Sequence, residues 1–137
     1  MPSTLEATGQ KPTDPLTDTE LAYLAGFFDG EGSIGTAGGS LCVRITNTYK
    51  PTLERYQAAF GGSIDVHNTG DEKTRLSWVW RTYGAKAQAV LEAIEPFLVE
   101  KGPQAYLGIH FRELPKGSAR KRVQEALGLL KRTTHHR

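Results

Sequence analysis

Two carboxylates, Asp29 and Glu31, close the run LAYLAGFFDGEGSIG at residues 21–35. Acids this close repel unless they share a proton or bind a cation. A hard ion such as Mg2+ takes a few carboxylate oxygens and completes its shell with waters and phosphate oxygens. Carboxylates holding a divalent metal over a phosphodiester form a hydrolytic arrangement. The segment that carries them is oddly built for a helix. Ala22, Gly26 and Gly30 recur every four residues, although each helical glycine costs about 1 kcal/mol relative to alanine. Acid at a helix C-terminus also opposes the helix dipole. A stripe of small residues lets a second backbone approach closely. If that backbone is the same helix of another copy, the contact is two-fold and both copies deliver their carboxylates to one place. On these residues alone a plainer reading stays open, in which the glycines face the chain's own sheet and the acids are solvated.

The surrounding pattern supplies elements to position this pair. Thr17 and Glu20 have capping-box spacing, so a helix starts at Thr17 and runs to about Asp29, stopped by Gly30 and Gly32. Residues 33–37 and 41–46 read as strands joined by the tight turn Gly38 and Gly39. Pro51 opens a helix over residues 51–60, and Gly61 and Gly62 end it. Residues 63–67 and 76–82 form a second hairpin around the polar turn NTGDEK. Further helices are expected over residues 85–94, 103–114 and 118–131. The order is α-β-β-α-β-β-α with extra C-terminal helices: an α+β domain with a four-stranded antiparallel sheet, helices on its apolar face. Alternation places Leu41, Val43, Ile45, Trp78 and Trp80 toward those helices, and a reversed register in the last strand would expose both tryptophans. The other face would present Arg44, Thr46, His67, Arg75, Ser77 and Arg81.

A chain of 137 residues suits one domain, and 38% hydrophobic with 23% charged residues is a soluble globular composition. The reading divides it into a disordered leader at residues 1–16, one domain at 17–132 and a tail at 133–137. No apolar run approaches the roughly 20 residues of a membrane helix, so no membrane partner is expected. The lone Cys42 excludes an internal disulfide and a cysteine zinc site, which suits a reducing, intracellular compartment: the cytoplasm or nucleoid of a microbe or phage host, or an organelle. Net charge is +2, unevenly spread: residues 1–31 hold one base against six acids, leaving +7 on the rest. A basic body around a few concentrated acids suits a polyanion binder that also holds a metal. A two-stranded ribbon fits the DNA major groove. Arg44, Arg75 and Arg81 are candidate guanine or phosphate contacts, with Ser33, Thr46, Ser63, Asp65, His67 and Ser77 as polar neighbours. Lys50, Lys73, Arg120, Lys121 and Arg122 suit phosphates, which position without specifying.

The nine residues LAGFFDGEG (24–32) resemble the signature of the LAGLIDADG homing endonucleases: LAG, two apolar residues, acid, small, acid, glycine. The αββαββα order over residues 17–95 matches that family. The segment PFLVEKGPQAYLGIHF (96–111) is similar to its proline, lysine and Ala/Leu-rich helix. The resemblance covers residues 17–114 and carries one motif copy. That implies a symmetric homodimer packed through Ala22, Gly26, Phe27 and Gly30, with a saddle-shaped sheet on DNA. It implies a meganuclease that makes staggered cuts in both strands of a pseudo-palindromic duplex with Mg2+, Mn2+ or Ca2+ substituting in binding. By motif position Glu31 corresponds to the essential catalytic, metal-binding acid, with the Gly32 backbone facing the metal. Asp29 corresponds to the acid that is mainly structural and a weaker metal ligand. Lys101 lies where the family places a basic residue near the active-site water, though a solvated surface lysine reads the same. Asn47 lies where a polar residue helps position water, though it could instead cap the next helix. The final acid is Glu rather than Asp, and the first hairpin is short, which implies a shorter or looser target. The family also includes cleavage-silent DNA-binding regulators and RNA-binding intron maturases, so intron RNA is a second partner class. Retention of Glu31 and Lys101 favours cleavage. A small α+β interaction protein without a nucleic-acid partner is the remaining alternative.

Overall fold

The computed structural model describes residues 16–135. The expected leader falls almost wholly outside them. The first helix, α1 (Asp18–Glu31), begins where the sequence places it. Thr17 Oγ1 accepts the Glu20 N–H at 3.1 Å and Glu20 Oε1 accepts the Thr17 N–H at 2.8 Å. This reciprocal pair satisfies two donors that a helix start leaves unpaired. The helix runs two residues past the expected end, to Glu31, with Gly32 as its C-cap. Gly32 is there for space: a Cβ at that position would overlap the Phe28 ring.

Strands β1 (Gly32–Ala37) and β2 (Ser40–Asn47) pair antiparallel around Gly38 and Gly39, at φ 59° and 83°. Two consecutive positive φ values are what a twist-matched two-residue hairpin turn demands. Helix α2 (Lys50–Phe60) leads to β3 (Ser63–Asn68) and β4 (Ser77–Tyr83), then to α3 (Gly84–Ile94) and a 3-10 turn at Glu95–Phe97. Two more helices follow, α4 (Gly102–Phe111) and α5 (Ser118–His135). Helix α4 begins one residue before the expected span and ends three residues short of it, and α5 is longer by four. The sheet order is β1-β2-β4-β3, all antiparallel.

One face of the sheet is core. Ile34, Leu41, Val43, Ile45 and Trp80 are buried against Leu24 and Phe28 of α1, Val90 and Leu91 of α3, and Leu127 of α5. Trp80 is fully buried and its indole N–H donates to the Gly61 carbonyl at 2.8 Å. Trp78 is half-buried on the same face, so the inward register is the correct one. Tyr56 of α2 stacks beside Trp80, with ring centroids 5.1 Å apart, and its hydroxyl donates to the Leu24 carbonyl. Burial and the neighbouring Tyr23 push the Tyr56 hydroxyl pKa upward, so the group stays a proton donor. Among the described residues no helix is long and apolar enough to cross a membrane.

Candidate active site and nucleic-acid interface

Both motif acids sit at the C-terminal end of α1, but their surroundings differ. Asp29 Oδ2 accepts the Val99 N–H at 2.6 Å, and Oδ1 accepts those of Glu100 and Lys101 at 3.1 and 2.9 Å. One carboxylate thus ties down the whole turn before α4. Lys101 is the N-cap of α4 and is 1% exposed. Its ammonium donates to the Asp29 backbone carbonyl at 2.6 Å. A solvated surface lysine is therefore excluded. The contact also explains how α1 can end on acid with no basic residue of its own in the last turn. Lys101, seventy residues on, supplies the cation that a helix C-terminus favours. Glu31, by contrast, is exposed. Side chains two apart on a helix point about 200° apart, so one acid faces the chain and the other faces out.

Among the described residues no group of three His, Cys, Asp or Glu side chains converges as a metal cage. The donor set fits a Mg2+-type ion nonetheless, because such ions need only one or two carboxylates when waters and phosphates complete the shell. Glu31 is the available carboxylate. The Gly32 N–H is engaged as the α1 cap, donating to the Phe28 carbonyl. Asn47 ends β2, and its Oδ1 accepts the Tyr49 N–H at 2.8 Å, a local turn leading into α2.

The outer face of the sheet follows from the register. Ser33 pairs with Arg44, Arg44 with Arg81, and Arg81 with Ser63, so one row across the four strands carries two arginines between two serines. Two guanidiniums placed directly opposite repel each other. The Arg81 Nε is buried and has no hydrogen-bond partner. The row is therefore cationic and holds an unsatisfied donor. Thr46 and Asp65 flank Val79 in the next row.

Three expected contacts differ from the sequence reading. Ser77 is only 8% exposed, so little of it is available to a partner. His67 is the additional residue where the register slips between Val66 and Asn68, a bulge that redirects the strand end. Arg75 precedes β4 rather than lying in it. It belongs with Lys73 to the exposed 69–76 loop, which is internally braced. There Asp71 Oδ1 accepts the Lys73 and Thr74 N–H groups, both at 2.8 Å, and these bonds hold its carboxyl below the usual value of 3.8. Lys50 lies over the Trp78 ring at 5.8 Å. Arg120 is more tied than expected: Nε donates to Leu114 O at 2.9 Å and Nη2 to Arg112 O at 3.2 Å. Lys121 and Arg122 are exposed.

On α1, Ala22, Gly26 and Gly30 are all exposed, and a Cβ at either glycine would meet nothing within 4 Å. Their small size therefore answers no need inside one chain, and the plainer reading of glycines facing the chain's own sheet fails. Phe27 is half-buried against Tyr56, 6.2 Å between ring centroids, so its ring packs largely within the chain.

A family model for the LAGLIDADG-like domain matches residues 18–95, more than half of the chain. The chain belongs to this family. No match was found among curated proteins. Solved structures agree in architecture. One is homing endonuclease I-CvuI in complex with its target in the presence of Ca, at 22% identity and a TM-score of 0.69 over 82% of each chain. Another is I-CvuI on the I-CreI target in the presence of Mg, with its DNA not cleaved, at 21% identity and a TM-score of 0.60 over 85% of this chain and 80% of that one. A third is the archaeal intron-encoded homing endonuclease I-Vdi141I complexed with DNA, at 16% identity and a TM-score of 0.55, over 83% of this chain and 98% of that one. At these identities the likeness establishes the shared LAGLIDADG fold.

Proposed function

We propose that this chain is a site-specific double-strand DNA endonuclease that works as a symmetric homodimer with a divalent cation. The observation that carries the proposal is the pairing of an exposed Glu31 with a buried Lys101 at one end of α1, beside a sheet whose outer face carries Arg44 and Arg81. Glu31 holds the cation. When bound there, a divalent ion supplies Lewis acidity toward the scissile phosphate and lowers the pKa of a coordinated water. Lys101 contributes positive charge from a buried position, pre-oriented by Asp29, where negative charge develops on the phosphate. Asp29 acts as the strut that holds Lys101, and its bonded oxygens leave metal binding chiefly to Glu31. Asn47 shapes the end of β2.

The homodimer is supported by the vacant α1 stripe. Two such helices crossing at the stripe bring two Glu31 carboxylates to the dyad, one for each strand. Arg44, Arg81, Ser33, Thr46, Ser63 and Asp65 face the bases, with Lys50, Lys73, Arg75 and Lys121 as candidates for the phosphates. The neighbours crystallised with DNA accord with a DNA partner for this chain. The test is a split between binding and cutting. Glu31→Gln should bind duplex DNA as wild type does, and lose Mg2+-dependent cleavage by on the order of a hundredfold or more, the several kcal/mol that metal assistance supplies. Equal salt-sensitive binding by both proteins with no cleavage by either would instead assign a DNA-binding regulator.

A further inference from the structure

We propose that Tyr83 recognises the 5-methyl group of a thymine in the major groove, about two base pairs outward of the arginine row. The proposal rests on the DNA-binding reading above and adds a base contact to it. Tyr83 closes β4 and pairs across the sheet with Cys42, which pairs in turn with Gly35. Alternation fixes their side. Val43 and Trp80 are fully buried and Thr82 is 3% exposed, all toward the helices. Arg44, Arg81, Cys42 and Tyr83 therefore share the outer face. Tyr83 is 43% exposed. Gly84, at φ 59°, turns the chain into α3 directly after it, so Tyr83 is the last side chain that β4 presents. The rings of Tyr23, Tyr56 and Tyr106 lie against Arg55, Trp80 and His110. Among the described residues no ring or cation covers that of Tyr83 in this way.

The chemistry of this row selects the base feature. Each base pair shows the major groove a pattern of donors and acceptors, and thymine adds a methyl group. The neighbouring row, with Arg44 and Arg81, suits the acceptors of guanine. The row of Gly35, Cys42 and Tyr83 holds no charge. Gly35 has no side chain. The Cys42 thiol is 8% exposed and donates weakly to the Val43 carbonyl at 3.9 Å. What remains toward the groove is an aromatic ring, whose large apolar surface packs on a methyl group. Row spacing gives the position. Two residues of strand advance about 6.8 Å, and stacked base pairs advance about 3.4 Å each. The Tyr83 row lies on the side of Gly38 and Gly39, away from Glu31 and the proposed dyad. Each half-site is thus read as guanine first and thymine farther out. 5-Methylcytosine carries the same methyl group, so it is preferred there over cytosine.

The test reads binding by the full chain in Ca2+ and needs no known target. A randomised duplex pool is enriched on wild type. The winning duplex is then resynthesised with deoxyuridine for the outer thymine, which removes the methyl group alone. Wild type should bind it about fourfold more weakly per half-site, the effect of losing one buried methyl-sized group. Cytosine against 5-methylcytosine at that position should show the same ratio. Tyr83→Phe should keep both differences and Tyr83→Ser should lose both, with the guanine preference unchanged in each. That preference also shows that the variants are folded. Loss of both differences in Tyr83→Phe would overturn the proposal, because the hydroxyl would then be reading the base. An enriched site with guanine but no thymine beyond it, or a wild type indifferent to deoxyuridine, would overturn it and leave the DNA-binding reading standing. So would a Tyr83→Ser protein that keeps the full difference. If that variant does not fold, the deoxyuridine and Tyr83→Phe arms decide alone. Failure of wild type to bind any duplex even at low salt would overturn the DNA-binding reading itself, and the thymine contact with it.

Discussion

Asp29 and Glu31 are chemically near-identical and two residues apart, yet one is bonded and the other exposed. Helix geometry separates them, since a step of two turns the side chain nearly to the opposite side. The two acids and their alternation were legible in the sequence. The partners of Asp29 were not, because the N–H groups of residues 99–101 lie seventy residues away and belong to a turn with no side-chain signature. The burial of Lys101 was hidden for the same reason: a lone lysine in a chain looks the same whether solvated or engaged. The arrangement makes a specific prediction. Asp29→Ala leaves three N–H groups without their acceptor and frees the turn that carries Lys101. Bonds to a charged acceptor contribute about 1.5–3 kcal/mol each at most, and this site is part-exposed. We therefore expect a net loss of roughly 2 kcal/mol, measurable by urea denaturation. Cleavage should fall further than DNA binding does.

At the scale of elements, the helix starts, the glycine stops and the strand faces could be read directly, because capping boxes, Pro51 and period-two alternation are local signals. The misses fell where tertiary contacts decide. The bulge at His67 and the late start of β4 displace Arg75 from the sheet, and no local pattern distinguishes a bulged strand end from a straight one. Nor could alternation announce the hydroxyl of Tyr56, which crosses from α2 to a carbonyl of α1. Tyr56→Phe should cost about 1 kcal/mol, the usual net value of a buried neutral hydrogen bond. It should also change the response to alkali. The folded-state pKa of Tyr56 lies above its usual value of 10.0. Its contribution is therefore fully present below pH 10 and is lost as pH rises above it. Thermal melts of wild type should fall steeply from pH 10 upward, and those of Tyr56→Phe should fall less.

For the whole molecule, the notable feature is what α1 leaves uncovered. A helix that packs on the core on one side and carries Ala22, Gly26 and Gly30 exposed on the other supports the proposed pairing with a second copy. Spacing alone could locate the stripe but could not tell an inward from an outward one; the open space around both glycines decides it. A Cβ at Gly26 meets nothing within 4 Å, and leucine there improves helix propensity by about 1 kcal/mol. We expect its monomer to melt no lower than that of wild type, while sedimentation shows the dimer dissociated and cleavage lost. The turn at Gly38 and Gly39 keeps the first hairpin short. Under the proposed DNA reading, a short hairpin predicts a compact target read mainly near Arg44 and Arg81.

The most direct measurement is a cleavage selection. A randomised duplex library is incubated in Mg2+ with wild type, in parallel with Glu31→Gln and with wild type in EDTA, and the cut ends are sequenced. The account predicts staggered ends clustered on a near-palindromic sequence, from wild type with Mg2+ alone. Cuts made equally by Glu31→Gln, or by wild type in EDTA, would contradict the assignment of Glu31 as the carboxylate that holds the catalytic ion.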